Sequence, residues 1–86
     1  MSKFPYTFRD ATIPDYMEHA LDAYVNDHVL PGHFLTAVLE NDLYQAISRA
    51  DDMNVRALVA YIGYLYNECP HACWGSPEKV KAWVNQ

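Results

Sequence analysis

The residues in this 86-residue chain that could bind a metal ion are four histidines and two cysteines. Cys69, His71 and Cys73 lie within five positions, and thiolate and imidazole groups are the ligands that zinc prefers. A structural zinc site needs four ligands, so the fourth would have to be His28 or His33 from a distant part of the chain. We therefore predict no metal or cofactor, with Cys69 in the core and Cys73 packed near the following tryptophan.

Catalytic motifs are absent from the sequence. It contains no P-loop, no G-x-G-x-x-G turn and no nucleophile elbow. A helical chain of this length also has little room for a cleft that encloses a substrate. We predict that the protein is not an enzyme.

The acidic residues are concentrated in one segment. Between Asp10 and Asp52 there are nine acidic residues and one basic residue, Arg49, so this segment carries −8 while the rest of the chain carries +3. A nucleic-acid-binding protein needs clustered lysines and arginines, and the six here are dispersed. We predict no direct binding to nucleic acid.

Three of these acids have the spacing of one helix face, at i, i+3 and i+7. Such a face either is simply solvated or selects a partner with a basic surface. A neighbouring tyrosine would supply the rigid, amphipathic contact area that is typical of binding hot spots. The predicted partner-binding residues are Asp15, Tyr16, Glu18, Asp22, Asp42 and Tyr44, with all three acids of the helix face exposed.

Proline and glycine divide the chain into segments with helical periodicity, and no stretch alternates long enough to predict a strand. The sequence predicts an all-α fold, a compact bundle of about five short helices. Helix starts are indicated at Asn41 or Asp42, at Asp51 or Asp52, and at Ser76, where Pro77 follows. The predicted helices are 14–27, 32–40, a third one after Asp42, 52–69 and 77–85.

The fourth predicted helix, 52–69, is expected to be central because it is apolar on two sides. Its main stripe runs from Val55 to Cys69, with Ala57, Ala60, Tyr61 and Tyr64 on the other side. The residues predicted to be nearly fully buried are Leu21, Val38, Ile47, Leu58, Ile62 and Leu65, and Tyr24, Tyr66 and Trp83 are also expected in the core.

The first twelve residues, 1–12, are predicted to form an N-terminal arm, followed by a single helical domain, 13–86. Phe4, Tyr6 and Phe8 alternate along the arm, so the arm either docks onto the helices or is loosely ordered. If the arm does not cover Tyr61 and Tyr64, we expect these two tyrosines to form a symmetric dimer contact.

Two stretches resemble a known group of proteins. They are PGHFLTAVLENDL, residues 31–43, and CWGSP, residues 73–77. The chain resembles small uncharacterised proteins of bacteriophages and prophages that carry a PG-x-FL-x-AVL-x-NDL core and a CWGSP segment, over roughly residues 14–84. The resemblance implies no known activity, but it implies an accessory role in which a phage protein binds host machinery.

These observations together predict a small acidic accessory protein that acts by protein–protein interaction. It would bind a basic surface on a host protein and inhibit a nucleic-acid-handling or defence function. The alternative is a self-assembling helical protein that forms a homodimer and has no host target. No apolar run approaches the ~18 residues of a membrane span, the first residues do not resemble a signal peptide, and two cysteines are too few for a disulfide scaffold. We therefore expect a cytoplasmic location.

Overall fold

The structure, a computed structural model, describes residues 4–86. Within that range the fold is a compact helical bundle with one small hairpin, so the prediction of an all-α bundle is confirmed. Residues 1–3 of the predicted arm lie outside the described range. In chain order the elements are β1 Thr7–Phe8, β2 Ala11–Thr12, α1 Glu18–Asp27, α2 His33–Leu39, α3 Leu43–Arg49, α4 Asp52–Arg56, α5 Leu58–Glu68 and α6 Pro77–Val84, with 3-10 turns at Asp15–Met17 and His71–Cys73.

Three of the helices begin where the sequence predicts a capping residue. In each case the side-chain oxygen accepts a hydrogen bond from the backbone N–H three residues later, which satisfies an amide that has no partner inside the helix. The donor–acceptor distances are 3.2, 2.8 and 3.2 Å for Asp42, Asp51 and Ser76. Local capping chemistry therefore fixes the starts of α3, α4 and α6.

The predicted helix 52–69 is two helices. α4 ends at Arg56 and α5 begins at Leu58, with Ala57 between them at a distorted helical φ of −87° and ψ of −1°. Neither glycine nor proline marks this break, so the usual sequence signals of a helix end are missing.

The prediction that the main apolar stripe of helix 52–69 lies in the core was wrong for most of α5. The side that carries Ala60, Tyr61 and Tyr64 is buried, whereas the stripe that carries Val59, Ile62 and Tyr66 is exposed. The small residues on the buried side allow neighbouring elements to approach the helix closely. Of the residues predicted to be nearly fully buried, Leu21, Val38 and Leu65 are, Leu58 is half-buried, and Ile47 and Ile62 are exposed.

The N-terminal segment is a β-hairpin that packs on α5. Arg9 and Asp10 form its turn with positive φ values of 51° and 67°, the geometry of a tight two-residue hairpin turn. The Phe8 ring lies directly over Gly63, where an added Cβ would be 2.5 Å from the Cγ of Phe8. Gly63 is therefore needed because a side chain there would displace the hairpin from the helix.

Tyr61 and Tyr64 are core residues, so the condition under which we expected them to form a dimer contact is not met. The Tyr64 ring stacks on Phe4 at 5.2 Å between centroids and meets the edge of Tyr6 at 5.4 Å. Tyr61 is fully buried and packs edge-on against Phe34 of α2. The hairpin segment and α2 cover these rings within a single chain, so neither is available to a second copy.

Polar contacts join α1 to the C-terminal part of the chain. The Tyr24 hydroxyl donates to the Cys73 carbonyl at 2.6 Å, and the Trp83 indole N–H donates to the Tyr24 carbonyl at 2.8 Å. His28 Nδ1 lies 2.8 Å from the Trp83 carbonyl, which can only accept, so Nδ1 is the donor. These bonds hold α1, and the 3-10 turn before it, in a fixed position against α6.

Candidate functional site

Tyr16 lies on the surface in the 3-10 turn that leads into α1, next to two carboxylates. Its side chain is 54% exposed, and its hydroxyl donates to Asp51 Oδ2 at 3.2 Å. Partial desolvation and the Asp51 carboxylate raise the pKa of Tyr16 above its ordinary value, and the negative charge of Asp15 adds to this effect. We call Asp15, Tyr16 and Asp51 the acidic–aromatic surface.

Hydrogen bonds connect this surface to the core. Asp51 accepts from Tyr16 through Oδ2 and from the backbone N–H of Asn54 through Oδ1. The Asn54 side chain is buried and its Oδ1 accepts from the Tyr61 hydroxyl at 2.5 Å. Because each polar group in this chain of bonds has a partner, Tyr16 and Asp51 are held in place by the interior of the protein.

The other two predicted acids of α1 differ in their surroundings. Asp22 is exposed, and its Oδ1 accepts from Asn26 Nδ2 at 2.7 Å. Glu18 is half-buried at the start of α1, where the 3-10 turn joins the helix, so the prediction that all three acids are exposed was wrong for this residue. The single basic residue of the acidic segment, Arg49, donates its Nε–H to Gln45.

Asp42 and Tyr44 belong to the start of α3, whereas Tyr16 and Asp51 lie before α1 and α4. Asp42 is engaged as the cap of α3. Tyr44 is 76% exposed. Asp42 also lines an open groove of about 370 Å³ between α2 and α3, together with His33 and Arg49. The structure thus joins Tyr16 to Asp15 and Asp51 but places the predicted α3 residues on another element.

An exposed apolar surface on α5 is a feature that sequence reasoning assigned to the core. A groove of about 450 Å³ runs along it, and a smaller groove beside it reaches α3. The periodic stripe of the sequence was the correct signal for an apolar face, but periodicity does not tell which of two apolar faces is inside. The apolar face, as we call it, consists of Phe8, Leu43, Leu58, Val59, Ile62 and Tyr66.

The cysteines that suggested zinc are both buried, and neither forms a disulfide. A hydrogen bond with the Cys69 thiol lowers the pKa of Cys73. His71 is exposed, and its ring meets Tyr66 edge-on at 6.3 Å between centroids. Across residues 4–86, no group of three or more histidine, cysteine or acidic side chains is arranged to hold a metal ion.

Comparison of the chain with protein-family models, curated proteins and solved structures finds no match. None of the helices in the described part of the chain is long and apolar enough to cross a membrane. A conclusion about function must therefore rest on two surface features. These are the acidic–aromatic surface around Tyr16 and the apolar face on α5.

Proposed function

We propose that this chain is a small non-catalytic accessory protein of the phage type that binds another protein through the acidic–aromatic surface. The partner carries a lysine- and arginine-rich surface that normally handles nucleic acid or acts in host defence. By covering that surface the chain would inhibit its partner. The resemblance to small phage proteins supports the biological context, and the surface chemistry supports the mode of binding.

The observation that carries this proposal is the hydrogen bond between Tyr16 and Asp51. It joins an exposed aromatic ring to a carboxylate, and the charge of the neighbouring Asp15 acts on the same hydroxyl by raising its pKa. Tyrosine is enriched in binding hot spots because it offers a large, rigid contact area with a polar tip. A cationic side chain of the partner could contact the ring and a carboxylate at the same time.

Electrostatics supports a basic partner. The segment from Asp10 to Asp52 carries −8, and its single arginine hydrogen-bonds to Gln45. Surfaces of one sign accelerate encounters with oppositely charged partners and repel partners of like charge, and salt weakens both effects. The same field would repel nucleic acid directly, so the protein would compete with nucleic acid for a basic surface.

The proposal can be tested by capture from a host lysate with two variants that change net charge equally. In the first, the surface variant, Asp15→Asn and Asp51→Asn neutralise the two carboxylates of the acidic–aromatic surface, and asparagine at 51 keeps a side-chain oxygen that can cap α4. In the matched control, Asp10→Asn and Glu78→Gln neutralise two acids elsewhere, both exposed. We expect wild type and control to capture the same protein, which has a basic surface, and the surface variant to lose at least about tenfold in affinity.

A different pattern would contradict the proposal. If the surface variant captured the partner as well as the control did, the carboxylates of the acidic–aromatic surface would serve solubility alone. If the captured protein bound wild type with no dependence on salt, its recognition would not rest on charge. Circular dichroism of each variant checks that the fold is retained.

A further inference from the structure

The exposed stripe of α5 has the spacing of a helix that packs against a second helix. Val59, Ile62 and Tyr66 are separated by three and four residues, which places them in one row along the helix. They are 48%, 37% and 65% exposed. These three side chains form a ridge on the surface of α5. No element of the described chain covers the ridge, because α5 faces the core with its other side.

A groove lies directly beside this ridge. Leu58, Gly63 and Phe8 contribute to its lining, and its volume is about 450 Å³. Since the Phe8 ring covers Gly63, this ring forms the apolar floor of the groove at that point. On the other side of the ridge, Leu43 extends the apolar face onto α3.

The size of the apolar face matches half of a stable interface. From the fractional exposures, its side chains present on the order of 500 Å² of apolar surface, near the upper end of what a monomer usually exposes. A standard interface buries about 800 Å² on each partner, of which about 60% is apolar. The apolar face therefore supplies the nonpolar part of such an interface, and its polar rim would supply the remainder.

The charges around the α5 groove are compatible with a second copy of this chain on the apolar face. The protein carries −5 overall, so two copies repel unless the contact avoids most of the acidic segment. The charged residue that lines the α5 groove is Arg9, and its other described lining residues are uncharged. A contact centred there buries no carboxylate of that groove, and an acid that borders the apolar face, Asp42, lines the smaller groove beside Leu43.

We propose that the apolar face is a homodimer interface, in which the α5 ridge of each protomer enters the α5 groove of the other. The ridge and the groove lie side by side along α5. A two-fold axis therefore places the ridge of each protomer against the groove of the other. This arrangement leaves Tyr61 and Tyr64 inside each protomer. It does not depend on the acidic–aromatic surface, and either proposal can fail while the other stands.

Sedimentation equilibrium with a matched pair of variants tests this proposal. Val59→Glu places a charge on the ridge, whereas Val29→Glu makes the same change at a residue with similar exposure, 53% against 48%, beyond the end of α1. We expect the mass of wild type to rise from 9.9 kDa towards twice that value between about 1 μM and 1 mM. Val29→Glu should behave likewise, and Val59→Glu should remain a monomer.

Circular dichroism and thermal unfolding check that both variants fold. If Val59→Glu does not fold, Tyr66→Glu replaces it, because that side chain is more exposed. A wild-type mass of 9.9 kDa at about 1 mM would overturn the proposal and leave the face to a different chain. Folded ridge variants that dimerise as well as wild type would overturn it too, because the dimer would then use another surface.

Discussion

Asn54 is the residue at which the surface and the core are joined. Its backbone N–H donates to the Asp51 carboxylate, and its buried side chain accepts from the Tyr61 hydroxyl. A tyrosine and an asparagine at these positions do not reveal the contact from sequence, because seven residues separate them across the break at Ala57. The partner of Tyr16, 35 residues away at Asp51, was equally invisible to any local pattern.

The Tyr61 hydroxyl should contribute measurably to stability. Tyr61→Phe removes the donor to Asn54 Oδ1 and leaves a buried acceptor without a partner, at a cost of about 1–3 kcal/mol. The matched change Tyr44→Phe, at a side chain that is 76% exposed, should alter the free energy of unfolding by less than about 0.5 kcal/mol. Urea denaturation measures both, and equal effects would show that the bond to Asn54 contributes nothing.

At the scale of elements, local signals were sufficient for the starts of α3, α4 and α6, but not for the start of α1, predicted at 14 and found at Glu18, nor for the faces of α5. Asp42, Asp51 and Ser76 cap their helices because capping depends on residues within one turn, all of which the sequence displays. The inside of α5 depends on what packs against it, namely α2 and the hairpin. The hairpin itself was missed because its strands have two residues each and its turn, Arg9-Asp10, lacks the usual glycine.

Because the hairpin lies so close to α5, replacing Gly63 by alanine should change the stability in the direction opposite to the usual one for a helix. Alanine normally stabilises a helix interior relative to glycine by about 1 kcal/mol. Gly63→Ala should instead destabilise the protein by about 1–3 kcal/mol, because the new Cβ overlaps the Phe8 ring.

A double-mutant cycle isolates the cause. In a Phe8→Ala background the two ring-carbon contacts are removed and only the Cβ contact at 3.0 Å remains, so Gly63→Ala should become much less destabilising, as measured by urea denaturation of the four proteins. If Gly63→Ala were stabilising in the wild-type background, the hairpin would not pack on α5 as described.

At the scale of the whole molecule, three buried tyrosines should make the protein less stable at alkaline pH. Burial raises the pKa of Tyr24, Tyr61 and Tyr64 well above the ordinary value of 10.0. Above about pH 10 the unfolded chain loses these protons and the folded chain keeps them, so stability falls as pH rises. The stabilisation is fully present below pH 10. Above it, each of the three tyrosines lowers the free energy of unfolding by up to about 1.4 kcal/mol per pH unit.

Urea denaturation between pH 8 and pH 11 checks this expectation. Tyr64→Phe should reduce the slope above pH 10, because one titrating group is removed from the core. A free energy of unfolding that stays constant up to pH 11 would contradict the burial of these hydroxyls.

The position of the acidic segment along the chain can be read from the sequence, whereas the arrangement of its charges around Tyr16 depends on the fold. The sequence alone places a charge of −8 between Asp10 and Asp52. Only the tertiary contact between the turn before α1 and the cap of α4 turns part of that charge into a surface with a fixed aromatic ring.

The most direct test of the proposed function is the rate of association with the captured partner, measured by stopped flow at low and high salt. We expect the wild-type rate constant to fall by about tenfold or more as salt rises, because the acidic field steers the encounter. The Asp15→Asn, Asp51→Asn variant should associate slowly and with a weaker dependence on salt, while the matched control follows wild type. If this surface variant associated at the wild-type rate with the same dependence on salt, the acidic–aromatic surface would have no part in binding.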